Sequence, residues 1–80
     1  MTEIRVAPEL WSTSILPQGI LQQWRRPQGA FVWAGEPIAC VRIEDSLHEL
    51  IAPASGRLKT EVSPNSVVEP GMVIGRLDPP

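Results

Sequence analysis

Glu44, Asp45, His48 and Glu49 put three carboxylates and an imidazole within six residues, the densest set of proton-transferring and metal-ligating groups in the chain. As a metal site they would offer two or three oxygens and one nitrogen. In an extended chain, however, neighbouring residues point to opposite faces, so His48 and Glu49 diverge. A solvated acidic turn accounts for the cluster better. His48 as a general base would also need a nucleophile and an orienting partner, and the sequence suggests neither. No catalytic residue and no metal ligand is expected.

The other reactive groups are isolated. Cys40 lies among apolar residues, where a thiol behaves as a small hydrophobe; reactivity would need exposure and a lowered pKa. Lys59 is the sole lysine and falls mid-strand, where a solvated side chain is the expected state. No phosphate-cradling glycine loop, nucleophile elbow or paired-cysteine motif is present. An enzyme acting alone is not expected.

Composition narrows the class further. Eighty residues make one small domain, residues 1–80, with 42% hydrophobic and 20% charged residues, as in folded rather than disordered chains. A formal net charge of −2 offers no argument for nucleic acid or an anionic membrane. No apolar run approaches the ~20 residues that span a bilayer. The N-terminus carries no basic stretch leading into an apolar one. The single cysteine excludes an internal disulfide and fits a reducing compartment, so a cytoplasmic location is expected.

The elements that must position these groups are short. Nine prolines and six glycines are spread along the chain, punctuating it as an all-β domain with frequent turns. Val41-Arg42-Ile43 and Leu47-His48-Glu49-Leu50 alternate apolar with polar about Glu44-Asp45-Ser46, which predicts a β-hairpin with its arms at Ile38–Ile43 and Leu47–Ile51. Further strands are expected around Ile4 and Val6, at Ile20–Trp24 after Gly19, at Phe31-Val32, at Arg57–Val62, at Val67-Val68 and at Met72–Leu77. Residues 9–18 read as a surface loop and 78–80 as a tail. In that loop, Ile15 and Leu16 are expected to cover the core, while Trp11 suits either core cover or an exposed patch. Trp24 is expected to pack across a sheet end.

Two stretches repeat. Gly29-Ala30-Phe31-Val32-Trp33-Ala34-Gly35-Glu36-Pro37-Ile38 aligns with Asn65-Ser66-Val67-Val68-Glu69-Pro70-Gly71-Met72-Val73-Ile74, and Gly19-Ile20-Leu21 answers to Gly56-Arg57-Leu58. The first position is Gly or Asn, the types that best tolerate a left-handed backbone. The repeat predicts two halves related by a quasi-two-fold. Trp33 matches Glu69, which predicts an outward side chain, and an exposed Trp is a common interface anchor.

Ile4 to Pro8, Gly19 to Trp24, the Gly29–Ile38 repeat, the corner Ala52-Pro53-Ala54-Ser55-Gly56, and Val68, Gly71 and Ile74 together resemble the biotinyl/lipoyl carrier domain family over nearly the whole chain. The resemblance implies a barrel-sandwich hybrid of two four-stranded sheets with the modification site on a hairpin tip. In that alignment the family's modified lysine falls on Asp45, and its D-K-A becomes Glu44-Asp45-Ser46. Attachment of lipoate or biotin needs a primary amine, which a carboxylate cannot replace.

No cofactor is therefore expected. The resemblance implies a non-enzymatic, unmodified domain that binds a protein partner, such as a subunit of a carboxylase or dehydrogenase-type complex. Trp11, Trp33, Glu44, Asp45 and Ser46 are the candidate contacts. The alternative is an acyl or carboxyl carrier modified atypically, for instance on Lys59.

Overall fold

A computed structural model of the chain describes residues 1–79. Eight strands follow one another: β1 (Thr2–Arg5), β2 (Gly19–Trp24), β3 (Phe31–Val32), β4 (Pro37–Ile43), β5 (Ser46–Ile51), β6 (Gly56–Thr60), β7 (Val67–Val68) and β8 (Val73–Asp78). They form two four-stranded sheets, ordered β1-β8-β6-β3 and β5-β4-β2-β7, and every pairing is antiparallel. The domain is all-β, as the punctuation of the sequence predicts.

Alternation decides which side chains fill the space between the sheets. Ile4, Leu21, Val32, Val41, Leu58, Val68, Ile74 and Leu77 are all buried, and their polar strand neighbours face out. Each such side chain contributes roughly 1.5–3 kcal/mol of hydrophobic stabilisation. β4 is the most deeply set strand. A register shift between Pro37 and Ala39 lets Ile38 and Ala39 both be buried, as an extra residue in one strand permits.

The repeat is a repeat in space. Exchanging each strand for the one four places away in the chain converts one sheet order into the other. Gly29 and Asn65 both adopt positive φ (86° and 69°), as do Gly35 and Gly71 (87° and 81°). Those four positions need the left-handed region, which is why Gly or Asn occupies them.

Most strand ends fall within two residues of the sequence reading, and three differences bear on the site and its surroundings. Pro8–Trp11 forms a 3-10 turn that overlaps the start of residues 9–18, expected to be loop, since Pro8 presets a helical φ at its start. Ser46 belongs to β5 opposite Ile43, so the hairpin turn is shorter than expected. Asp78 is paired with Arg57 in β8 rather than opening a tail; of that tail, Pro80 lies outside the described residues.

Candidate functional site

The β4–β5 hairpin closes with Ile43 opposite Ser46, leaving Glu44 and Asp45 alone in the turn. A two-residue connection matches the strand twist only with left-handed backbone, and Glu44 takes it up at φ 54°. That conformation is uncommon for a residue with a Cβ. A distant contact holds it. The Glu44 carboxylate Oε2 accepts the backbone N–H groups of Ile15 at 2.7 Å and Leu16 at 3.0 Å. Those two bonds, Leu16's first and Ile15's second, hold its carboxyl below the ordinary carboxylate value because they favour the charged form. The acidic turn is exposed at Glu44, Asp45 and Ser46, as expected, but Glu44 is in addition turned back onto the loop.

This clamp corrects the expectation for the loop. Ile15 is 92% exposed and Leu16 56% exposed, whereas Trp11 is 8% exposed and packs in the core. The reason is a vacancy at Gly19. A Cβ there would lie 3.3 Å from the Trp11 ring and 3.0 Å from the Arg42 carbonyl oxygen, so the missing side chain is what seats the indole. With Trp11 filling that space and Glu44 holding the next N–H groups, Ile15 and Leu16 point outward. Trp11 is therefore not available as an exposed contact.

Trp33 is 68% exposed and packs edge-on against Phe31, ring centroids 4.9 Å apart. Its backbone N–H donates to Glu36 Oε1 at 3.0 Å. It precedes β4, whereas the tip follows β4, and seven extended residues separate the two by roughly 20 Å. Trp33 and Asp45 do not share a site. Trp24 spans the sheets as expected: its Nε1–H donates to the Val62 carbonyl at 2.9 Å, and its ring lies where a side chain on Gly75 would be.

His48 and Glu49 part as the strand pattern predicts. His48 sits opposite Val41 and is half-buried, while Glu49 is exposed and pairs with Arg25 Nε at 2.8 Å. Among the described residues no three His, Cys, Asp or Glu side chains converge as metal ligands. Cys40 is buried. Lys59 is exposed in the sheet that does not contain the hairpin, 4.0 Å from Asp78.

Beside the tip lies a groove of about 250 Å³, with apolar walls from Leu16, Ile20 and Val67 and charges from Arg42 and Glu44. Register explains it: Ile20 faces both Arg42 and Val67 across the strands, and Leu47 extends the row from β5. Sequence reasoning missed Ile20 and Val67. The available signal was adjacency, because in Ile20-Leu21 and Val67-Val68 only one residue of each pair can face the core.

Among the described residues no helix is long and apolar enough to cross a membrane. The chain matches no protein-family model and no curated protein.

Proposed function

We propose that this chain is an unmodified domain of the biotinyl/lipoyl type, a barrel-sandwich hybrid, and that it binds another protein through the hairpin tip and the adjoining groove. Two four-stranded sheets with interchangeable strand orders support the fold assignment. Asp45, exposed in a two-residue turn, supports the absence of a covalent cofactor, since the attachment chemistry needs an amine there. The observation that carries the binding role is the Glu44 clamp, which fixes Ile15 and Leu16 in solvent beside the tip. A backbone already held in place loses little entropy on docking, so the apolar side chains it carries favour association.

The partner class is a protein, as a subunit of a carboxylase or dehydrogenase-type complex in the cytoplasm, and the domain contributes no catalysis of its own. Capture from host lysate tests this with three baits. The parent and Trp33→Ala are expected to retain one identified partner that Leu16→Glu loses. Equal capture by all three would refute the groove as the contact. Intact mass of the protein isolated from its host is expected to equal that of the bare chain, and an added lipoyl or biotinyl mass would overturn the reading.

A further inference from the structure

The edges of the two sheets are not equally defended. β3 and β7 are two residues long, and β1 is four residues with charges at Glu3 and Arg5; a register irregularity lies beside β1 and β5 alike, at Ile4/Arg5 and opposite Leu50 and Ile51. Short length, bulges and charges are the usual protections of an edge. β5 has six residues, Ser46–Ile51, contains neither Pro nor Lys but one carboxylate, Glu49, and among the described residues pairs on one side only, with β4. It also carries two of the chain's exposed large hydrophobic residues, Leu47 (62%) and Ile51 (59%).

We infer that β5 is a self-association edge, pairing antiparallel with β5 of a second copy about a two-fold at Glu49, so that the two sheets join into one of eight strands. This rests on the strand edge, not on the groove or its partner.

The register follows from hydrogen-bond parity. Because Ile43 and Ser46 close a two-residue hairpin, Ser46, His48 and Leu50 direct their backbone groups to β4. Leu47, Glu49 and Ile51 then direct theirs to the open edge. A two-fold preserves the faces of a sheet, so residues meeting across it must share parity. Centring it on Glu49 brings Leu47 opposite the second copy's Ile51, Glu49 opposite Glu49, and Ile51 opposite Leu47. Each of these pairs exchanges two bonds, giving about six. Centring it on His48 leaves about four and sets Leu47 against Glu49. The first register also matches apolar with apolar twice on the outer face, where such cross-strand pairs are favourable.

The one adverse contact is the meeting of like charges at Glu49. Each Glu49 brings its own Arg25, 2.8 Å away, so the row runs Arg, Glu, Glu, Arg across the junction. An edge of this size covers less than the ~1,600 Å² of a standard interface. The association is accordingly concentration-dependent, and the groove on each copy stays open.

Sedimentation equilibrium up to about 1 mM tests the inference. The parent is expected to dimerise, and Leu47→Lys/Ile51→Lys, altered only at exposed positions, is expected to stay monomeric with an unchanged circular dichroism spectrum. Glu49→Gln keeps an acceptor for Arg25 while removing the like charges, and is expected to tighten the dimer about threefold or more. Isotope-filtered NOEs in a mixed labelled and unlabelled sample are expected to link Leu47 of one copy with Ile51 of the other. A parent that is monomeric at about 1 mM, or a dimer that survives the double substitution, overturns the inference. So does a Glu49→Gln dimer no tighter than the parent's.

Discussion

The two halves of the molecule use the same hydrogen bonds and differ at their surfaces. Gly29 N–H donates to the Leu58 carbonyl at 2.8 Å, and Asn65 N–H to the Leu21 carbonyl at 2.7 Å. Leu58 N–H returns to Ala30 and Leu21 N–H to Ser66, both at 2.9 Å. Arg25 bonds the Ile38 carbonyl as Glu61 bonds that of Ile74, and Gly35 bonds Ala52 as Gly71 bonds Val6. The core repeats as well: Val32 with Val68 and Ile38 with Ile74 at one spacing, and Leu21 with Leu58 one residue further apart, all buried. Buried backbone groups must be paired and core positions must be filled, so these features tolerate little variation. What the halves do not share lies outside those constraints. Trp33 stands where the second half has Glu69, and the Glu44 turn clamps Ile15 and Leu16 of the loop between β1 and β2. The equivalence describes the scaffold; the departures from it mark the surface available for recognition.

The most severe test of the equivalence is at its core. Ile38→Ala and Ile74→Ala, both at fully buried positions, are each expected to cost about 2–5 kcal/mol in urea unfolding, with values within about 1 kcal/mol of each other. A larger gap would mean that the two sheets do not share the core evenly.

Glycine substitutions sharpen the comparison by predicting an asymmetry. A Cβ on Gly56 would overlap the Asp78 carbonyl oxygen and lie 3.0 Å from its carbon, both backbone atoms. On Gly19 the nearest atoms are the Arg42 carbonyl oxygen and Ile43 Cγ1, both at 3.0 Å, with the Trp11 ring at 3.3 Å. Gly56→Ala must part β6 from β8 and is expected to cost about 3 kcal/mol, near the upper end for overpacking, whereas Gly19→Ala costs about 1 kcal/mol. Thermal unfolding of both variants measures the difference. Equal losses would show that the close approach at Gly56 relaxes without cost.

The smallest effect concerns the Glu44 clamp. The Glu44 carboxyl titrates below the ordinary 4.5, so its clamp contributes fully above that value. The contribution is lost as pH falls through the lower folded-state pKa. Following the Glu44 carboxyl by NMR is expected to give a midpoint under 4.5, with the Ile15 and Leu16 amide signals moving in step. Glu44→Gln is expected to speed amide exchange at those two residues with little change in global stability. Unchanged exchange would remove the clamp from the account.

Much of this was legible in the chain. Period-two alternation located β1, β4, β5 and β6, and Gly29 and Asn65 at the head of the repeat announced positions that need left-handed backbone. The outward Trp33 followed from its alignment with Glu69. The candidate site was read less well. Asp45 and Ser46 were found at the tip, but Trp11 was grouped with them, and the groove residues Ile20 and Val67 were not noticed.

The sequence by itself determined the strands, the turns and the internal repeat, because these depend on local backbone preference and on side-chain period. Only the tertiary structure decided that Trp11 is buried while Ile15 and Leu16 are exposed. That outcome depends on the space left by Gly19 in another strand and on a carboxylate 29 residues away from Ile15. Neither partner is marked by any property of the loop's own residues. Burial in a small domain is settled by which neighbour leaves room, and that is known only once the sheets have packed.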